Sequence, residues 1–290
     1  MSQARKLRDL LAGNDPVIAP GCYDGLTALL VEQAGFGCTY LSGASISFTR
    51  LGRPDIGLTT MTEVANVISN IRERIDIPII VDGDTGFGNA LNTQRTVRLF
   101  ERMGAAAIQL EDQTLPKRCG HLEGKTLVSV SEMLGKIRAA QDARQDPDTV
   151  IIARTDAIAV AGLDEALERG AAYIEAGADV LFVESPLDDE QLAKVGSTFG
   201  GQIPLLANMV EGGKTPLHSA DELATLGFKL VIFPGAMMRI VSRVGAEYLA
   251  TLKRDGTTAS IMDRMNDFPA INEVIGTDVM LASGKRYSEE

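Results

Sequence analysis

The sequence contains no tryptophan, and aromatic residues make up only 5% of its 290 residues, so a core built on aliphatic side chains is expected. Its three cysteines, Cys22, Cys38 and Cys119, form neither an even disulfide set nor a Cys-x-x-Cys metal pair. We therefore expect free thiols. No apolar run approaches the roughly 20 residues of a membrane span, and residues 1–11 are not followed by a signal-peptide core. A cytoplasmic protein without a membrane partner is expected.

Positive side chains are outnumbered, because the sequence has 28 Lys and Arg against 39 Asp and Glu, which gives a formal net charge of −11. A negative surface field opposes nonspecific attraction to nucleic acid or anionic lipid, so we expect no nucleic-acid partner. The sequence has no G-x-x-x-x-G-K-[ST] phosphate loop and no dinucleotide fingerprint. We therefore expect no nucleotide cofactor.

Eight short, nearly continuous apolar runs recur along the chain and predict parallel strands covered on both faces. They are residues 17–19, 39–41, 79–81, 107–110, 150–153, 180–183, 205–207 and 230–233. Helical patterns lie between them, and several end in a glycine of the type that caps helices: Gly35, Gly104, Gly177 and Gly227. This alternation predicts an α/β fold, a (β/α)8 TIM-type barrel, with an open sheet as the alternative.

No Pro-rich or Ser-rich linker divides the chain, and we expect one domain in two parts. Residues 1–255 are predicted to form the catalytic barrel, and residues 256–290 a C-terminal helical extension of the same domain. Met262, Met265 and Phe268 form an apolar stripe in this extension. The stripe either packs on its own barrel or covers a partner subunit.

Acidic residues collect after three of the predicted strands, where barrel enzymes place their active sites. They are Asp55, Asp82, Asp84 and Glu111. An oxygen-only set favours Mg²⁺, with Mn²⁺ as the alternative, and Mg²⁺ keeps several waters and uses few direct carboxylates. Asp84 is our first choice for a direct ligand. The competing interpretation is that each acid caps a helix or anchors a loop.

The segment Lys117-Arg118-Cys119-Gly120-His121 sets a thiol and an imidazole beside two cations. Neighbouring positive charge favours a thiolate, so we expect Cys119 to ionise more easily than an ordinary cysteine. The same cations can bind a carboxylate-bearing substrate. Cys119 is therefore predicted to be catalytic, whereas Cys22 and Cys38 are assigned to the core. His121 is either a catalytic group or a brace for its loop.

Motifs in a fixed order along most of the chain resemble the isocitrate lyase and phosphoenolpyruvate mutase superfamily. They are Tyr40-Leu41-Ser42-Gly43, Pro54-Asp55, Asp82-Gly83-Asp84-Thr85-Gly86-Phe87-Gly88-Asn89, Leu110-Glu111-Asp112-Gln113, Lys117-Arg118-Cys119-Gly120-His121, Ala153-Arg154-Thr155-Asp156 and Asn208-Met209-Val210-Glu211-Gly212-Gly213. The resemblance is closest to the group of 2,3-dimethylmalate lyase, petal death protein and 2-methylisocitrate lyase. Within that group, the stretch from Lys117 to Lys125, Glu184-Ser185-Pro186 and the motif at 208–213 look more like the 2,3-dimethylmalate lyase and petal death protein branch than like bacterial 2-methylisocitrate lyase.

This resemblance implies a Mg²⁺-dependent carbon–carbon lyase that cleaves a 2-hydroxy di- or tricarboxylate, such as a 2-alkylmalate or 2-methylisocitrate, to pyruvate and a carboxylic acid. It implies metal binding by Asp84, Asp82, Asp55 and Glu111 and catalysis by Cys119, His121, Lys117 and Arg118, on a mobile lid loop. The implied substrate-binding residues are Tyr40, Ser42, Gly43, Ala44, Gly120, Arg154, Glu184 and Asn208. It also implies a homotetramer, a dimer of dimers, with the C-terminal helical segment swapped between subunits.

Three other functions remain open at this point. An oxaloacetate hydrolase or decarboxylase would use the same metal and thiol. A carboxyphosphonoenolpyruvate phosphonomutase shares the loop that carries Cys119. A barrel that only binds a small acid, without turnover, is the alternative that is not an enzyme.

Overall fold

The structure is a computed structural model and describes residues 1–288. Eight parallel strands form a closed barrel in chain order, because β8 pairs with β1. Their bounds are β1 Val17–Cys22, β2 Thr39–Leu41, β3 Ile79–Asp82, β4 Ala107–Glu111, β5 Val150–Thr155, β6 Val180–Val183, β7 Leu205–Asn208 and β8 Leu230–Phe233. The predicted (β/α)8 barrel is confirmed.

Helices alternate with the strands along the chain and continue to the C-terminal end of the described residues. They are α1 Gln3–Ala12, α2 Gly25–Gln33, α3 Gly43–Ile46, α4 Met61–Arg72, α5 Ala90–Met103, α6 Val130–Ala143, α7 Ile158–Ala161, α8 Leu163–Glu175, α9 Asp189–Phe199, α10 Ala220–Thr225, α11 Ala236–Asp255, α12 Phe268–Ile275 and α13 Thr277–Lys285. A π-helical turn spans Ser47–Leu51, and a 3₁₀ helix spans Ala259–Arg264.

All eight predicted strands are present, and their apolar runs are buried except at Ile18 and Phe233, which are partly buried. The runs at 39–41, 180–183 and 230–233 match β2, β6 and β8 residue for residue. The other strands continue by one to three residues into polar or Pro-Gly sequence at the carboxyl end. The four predicted glycine caps all have positive φ, from 85° at Gly35 to 103° at Gly104. Glycine adopts this conformation without the penalty of a Cβ atom.

The N-terminal helix α1 covers the amino ends of the strands. Leu7 is completely buried and belongs to the same apolar cluster as Val17 and Leu230, the first residues of β1 and β8. Arg8 fixes the helix at its polar edge, because its Nε donates to the carbonyl of Asp148 and its Nη2 to Asp179 Oδ1, at 2.7 and 2.9 Å. The amino end of the barrel is therefore closed, and its opposite end carries the polar residues.

By their contacts, the residues form two compact units that divide at Ala236, at the start of α11. The sequence analysis placed the end of the barrel part at Asp255, the last residue of the same helix. Within the second unit, α11 and the segment after it line an apolar groove of about 670 Å³. Phe268, Val279 and Met280 are largely exposed in this unit, at 81%, 76% and 67%. Within residues 1–288, we find no helix long and apolar enough to span a membrane.

Candidate active site

The carboxyl ends of β3 and β4 supply two of the predicted acids. Asp82 is the last residue of β3, and its carboxylate accepts hydrogen bonds from the backbone N–H groups of Gly43 (3.3 Å) and Asp84 (3.2 Å). Gln109 Nε2 donates to the same carboxylate at 3.2 Å, and Tyr40 OH donates to Gln109 Oε1 at 2.7 Å. This network holds the Asp82 carboxylate in one orientation and gives the buried Tyr40 hydroxyl a hydrogen-bond partner.

Lys117 joins the acids that come from two different loops. Its Nζ lies 2.7 Å from Asp55 Oδ1 and 2.6 Å from Asp84 Oδ1, and all three side chains are buried. Although burial opposes the charged form, Asp84, Glu111 and Asp55 hold the pKa of Lys117 well above its ordinary value. Lys117 is therefore a fixed buried cation within the acidic cluster, which we define as Asp55, Asp82, Asp84 and Glu111.

Two acids of this cluster resist ionisation. Burial, opposed by Lys117 and reinforced by Asp82 and Asp55, raises the pKa of Asp84 from 3.8 to about 7. Burial also raises the pKa of Glu111 well above its ordinary value, against the effects of Arg154 and Lys117. The backbone at Asp84 has a φ of 47°, which is uncommon for a residue other than glycine. Such strained residues are often found at functional sites.

The acidic cluster fits a hard divalent cation that keeps part of its water shell. Glu111 Oε1 is buried without a hydrogen-bond partner, so it offers a desolvated oxygen ligand. Within residues 1–288, no three Asp, Glu, His or Cys side chains converge on one point as a closed ligand set. The acidic cluster itself offers only oxygen atoms, which are the ligand type that Mg²⁺ takes. The donor set therefore agrees with the predicted metal better than with Zn²⁺, which prefers nitrogen and sulfur ligands.

Arg154, near the end of β5, lies between the acidic cluster and the other acids of the rim. Its Nε and Nη2 each donate to Asp156 at 3.0 Å, in a bidentate pair. Its Nη1 lies 3.4 Å from Glu111 Oε2, and its Nη2 lies 3.5 Å from Glu184 Oε2. The guanidinium also stacks over the Phe182 ring at 5.1 Å. These contacts fix the guanidinium plane toward the mouth of the barrel.

The loop of residues 114–126, which we call the catalytic loop, folds over Arg154. A Cβ atom added at Gly120 would lie 2.5 Å from Arg154 Nη2 and 2.7 Å from Glu184 Cδ, so the backbone here rests directly on both side chains. The Cys119 N–H donates to the carbonyl of Asp55 at 3.1 Å. Gln113 holds Arg118 from both sides, because its Oε1 accepts from the Arg118 N–H and its Nε2 donates to the Arg118 carbonyl, at 2.9 and 2.8 Å.

His121 and Asn208 complete the side of the site around Glu184. His121 Nδ1 accepts a hydrogen bond from the Lys214 N–H at 3.1 Å, so a neutral ring carries its proton on Nε2. That nitrogen lies 3.5 Å from Glu184 Oε1. Asn208 Nδ2 donates to Glu184 Oε2 at 3.1 Å, and Ser185 Oγ donates to Oε1 at 2.7 Å. His121 is thus held at the rim by contacts on both ring nitrogens.

The expectation that Cys119 ionises easily is wrong. Burial raises the pKa of its thiol, and Asp55 and Glu184 raise it further, against the lowering effects of the His121 backbone N–H and Arg154. Lys117 and Arg118, the neighbouring cations in sequence, do not lower the pKa of the thiol because their charged groups bind other partners. Lys117 is paired with acids, and Arg118 is exposed and donates to the carbonyl of Glu123 at 2.8 Å. Cys119 is therefore a protonated thiol, and Arg118 faces away from the other candidate residues.

The remaining predicted residues lie at the start of α3, next to the acidic cluster. Ser42 caps this short helix by accepting a hydrogen bond from the Ser45 N–H, and Ala44 lies partly exposed in its first turn. A Cβ atom at Gly43 would lie 3.0 Å from Asp82 Oδ2, so glycine permits this close approach. The predicted core cysteines Cys22 and Cys38 are buried, and all three cysteines are free thiols, as predicted.

Three buried residues that support the site were not predicted from the sequence. Asp156 binds Arg154, and Lys125 binds Asp156 at 3.0 Å. Asp112 accepts hydrogen bonds from Thr155 Oγ1, Tyr173 OH, Arg169 Nη1 and the Asp156 N–H, and so ties β4 to β5 and α8. Asp112 and Asp156 stand within motifs that were recognised, but nothing in the local sequence indicates their partners.

Buried acids, a fixed arginine and a thiol-bearing loop meet at the rim where (β/α)8-barrel enzymes place their active sites, so the fold and the site are those of a barrel enzyme. Residues 7–253 match the family described as phosphoenolpyruvate phosphomutase, and the chain belongs to this family. It is similar to 2,3-dimethylmalate lyase of Eubacterium barkeri, at 47% identity over 96% of both chains. It is also similar to 2-methylisocitrate lyase of Aeropyrum pernix, at 45% identity over 93% of this chain and 86% of that one.

Solved structures agree with these relatives. A 2,3-dimethylmalate lyase, described as a member of the PEP mutase/isocitrate lyase superfamily, superposes with a TM-score of 0.93 at 36% identity, over 99% of this chain and 95% of that one. An oxaloacetate acetylhydrolase bound to 3,3-difluorooxalacetate has the same TM-score and identity, over 99% and 98%. A phosphonopyruvate hydrolase bound to oxalate and Mg²⁺ has a TM-score of 0.89 at 34% identity, over 99% of both chains. The predicted superfamily, and the prediction that the chain is one of its enzymes, are confirmed.

Proposed function

We propose that this protein is a Mg²⁺-dependent carbon–carbon lyase that cleaves a 2-alkylmalate, such as 2,3-dimethylmalate, to pyruvate and a carboxylic acid. One observation carries the proposal. Gly120 rests on Arg154 and Glu184, His121 Nε2 lies 3.5 Å from Glu184 Oε1, and the Cys119 N–H donates to the carbonyl of Asp55, so the loop that carries the thiol and the imidazole lies against the acidic cluster. The names of the lyases from Eubacterium barkeri and Aeropyrum pernix support the same class of reaction.

The acidic cluster would hold the metal, with Asp84 as the proposed direct ligand and Asp82, Asp55 and Glu111 reached directly or through water. When bound, Mg²⁺ would lower the pKa of the substrate 2-hydroxyl and stabilise the carbonyl that replaces it. Arg154 and the backbone at Gly43 would bind the half of the substrate that leaves as pyruvate. Glu184, His121 and Asn208 would orient the distal carboxylate, with His121 as the hydrogen-bond donor to it.

Cleavage of the C2–C3 bond sends its electron pair to C3, and the hydroxyl proton leaves to a carboxylate of the acidic cluster. The resulting carbanion is delocalised into its own carboxylate, and the product acid forms when C3 takes up a proton. Cys119 is the proposed donor, since its raised pKa keeps the thiol protonated until the carbanion develops. Closure of the catalytic loop excludes bulk water from this step.

Oxaloacetate hydrolysis is the second candidate, because the oxaloacetate acetylhydrolase matches the chain as well as the dimethylmalate lyase does in TM-score. A panel of 2-alkylmalates, 2-methylisocitrate and oxaloacetate, assayed with Mg²⁺ for pyruvate and for oxalate, separates these functions. We expect pyruvate from a 2-alkylmalate with the highest kcat/KM. Oxalate from oxaloacetate as the dominant activity would favour the hydrolase, and no turnover on the whole panel would contradict the lyase proposal.

We also propose that the chain works as a homotetramer in which the C-terminal helices of one subunit cover another. Supporting this, Phe268, Val279 and Met280 expose large apolar side chains in a single chain, which monomeric proteins usually avoid. Light scattering should give four times the chain mass, and truncation after Asp255 should abolish assembly. A full-length monomer at micromolar concentration would contradict the proposal. The three free thiols support a cytoplasmic location, where cysteines stay reduced.

A further inference from the structure

Lys125, at the end of the catalytic loop, is a buried cation that the proposed reaction does not use. Its side chain is 1% exposed, and its Nζ donates to two acceptors. One is the backbone carbonyl of Gly120, in the middle of the loop. The other is Asp156 Oδ1, at 3.0 Å. The Lys125 ammonium group therefore joins the backbone of the catalytic loop to Asp156, which follows β5.

Asp156 passes this connection to Arg154. The same oxygen, Oδ1, accepts from Arg154 Nη2 at 3.0 Å, while Oδ2 accepts from Arg154 Nε at 3.0 Å. The Asp156 N–H is fixed in turn by Asp112 Oδ1 at 2.9 Å. Although burial opposes ionisation, Arg154 and Lys125 hold the pKa of Asp156 below its ordinary value. The carboxylate is thus a charged and fixed bridge between the two cations.

We infer that Lys125 is a positioning residue that couples closure of the catalytic loop to the orientation of Arg154. The inference concerns the site of the proposed lyase and rests on that function for its kinetic consequences. Gly120 lies between Cys119 and His121, so a hydrogen bond to its carbonyl sets the direction of both neighbouring side chains. The same backbone rests on the guanidinium that Asp156 holds.

The coupling follows from what Lys125 loses when the loop opens. Without the Gly120 carbonyl, the ammonium keeps Asp156 but loses one of its two hydrogen-bond acceptors, and buried donors without an acceptor are costly. In the closed loop, the Gly120 carbonyl is the acceptor, and the same residue rests on Arg154 and Glu184. Lys125 therefore favours one closed state of the loop. In that state, Arg154 is held by its bidentate pair with Asp156.

Hydrogen exchange of the loop amides tests this directly, and it does not depend on turnover. The Cys119 N–H is bonded to the Asp55 carbonyl outside the loop, so its exchange reports closure. The Leu122 N–H is bonded to the Cys119 carbonyl within the loop at 2.9 Å, so its exchange reports the order of the loop itself. Lys125→Met keeps the length of the side chain but removes its charge and donors. We expect these two amides to exchange about tenfold faster or more, the effect of one lost charge-assisted hydrogen bond.

Glu123→Gln is the matched control, because it also changes one charge on the catalytic loop, at an exposed position. Its exchange rates should equal those of the wild type. Exchange in Lys125→Met at the wild-type rate, or an equal increase in Glu123→Gln, would overturn the inference. If Lys125→Met does not fold, Lys125→Gln, which keeps a donor without the charge, is measured in the same way.

Kinetics separate positioning from a structural role. If Lys125 positions the loop, kcat of Lys125→Met falls about tenfold or more while KM changes by less than about threefold. Protonation in heavy water should also lose stereospecificity, because Cys119 is no longer held in one direction. A lowered Tm with unchanged kcat and unchanged stereochemistry would mean that Lys125 only stabilises the fold. A wild-type enzyme without lyase activity would contradict the proposed function, while the exchange rates would still decide the role of Lys125.

Discussion

Gly120→Ala tests whether the catalytic loop must close on Arg154 for turnover. The added Cβ would lie 2.5 Å from Arg154 Nη2 and 2.7 Å from two carbons of Glu184, well inside van der Waals contact. Overpacking of this kind costs about 1–3 kcal/mol when the surroundings are held in place, as they are here by Asp156 and Asn208. Each 1.4 kcal/mol is a factor of ten, so the closed population should fall about 5-fold to 150-fold.

Steady-state turnover of a 2-alkylmalate, followed as pyruvate, should fall by the same factor. Because the loop can relieve the strain by opening, we expect Tm to fall by no more than about 3 °C, the shift that roughly 1 kcal/mol produces in a chain of this size. Gly135→Ala in α6 is the control, since no atom lies within 4 Å of its added Cβ. That variant should keep full activity and gain about 0.5–1 kcal/mol of stability. Wild-type turnover of Gly120→Ala would refute the requirement for closure.

Three further predictions concern separate parts of the molecule. Cys119→Ser should lose about 100-fold or more in kcat with nearly unchanged KM, and normal turnover with stereospecific deuteration in heavy water would demote the thiol to packing. Mg²⁺ affinity, measured by calorimetry between pH 6 and 8, should fall up to about tenfold per unit below pH 7, because Asp84 with its pKa of about 7 takes up a proton there that competes with the metal. Constant affinity over that range would contradict this assignment. Leu7→Ala should lower the free energy of unfolding by about 2–5 kcal/mol in urea, because Leu7 is fully buried beneath the barrel, whereas exposed Arg5→Ala should change it by less than about 0.5 kcal/mol.

The barrel could be predicted from the sequence because burial on both faces leaves a local signature in every strand. The run at 180–183 contains no polar residue, and it is β6 without correction. Strand β1 extends to Cys22. The prediction ends at residue 19 because proline and glycine, which occupy positions 20 and 21, are uncommon in strands. Pro20 is nevertheless aligned with Phe233 in β8, a partner more than 200 residues away.

The candidate site was predicted less completely, because adjacent residues in an extended segment point in opposite directions. The Lys117 side chain contacts the acidic cluster, whereas the Arg118 side chain donates to the carbonyl of Glu123. Nothing in the local sequence distinguishes the positions of these two cations. The error about Cys119 has the same origin, because the thiol is next to cations in sequence but buried near acids in space. The partners of Lys125 could not be predicted either, since Asp156 comes from a different strand.

The acidic cluster has a consequence for the evolution of this chain. Buried carboxylates outnumber the buried cations around them in the described part of the rim, and burial, with a smaller effect from the neighbouring acids, raises the pKa values of Asp84 and Glu111. Like charges held together without water reduce the folding free energy, and a ligand that binds only the folded state restores it. Replacement of Glu111 by glutamine should therefore raise the melting temperature of the metal-free protein. Selection for thermal stability alone would therefore replace the carboxylates of the acidic cluster, whereas selection for turnover would keep them.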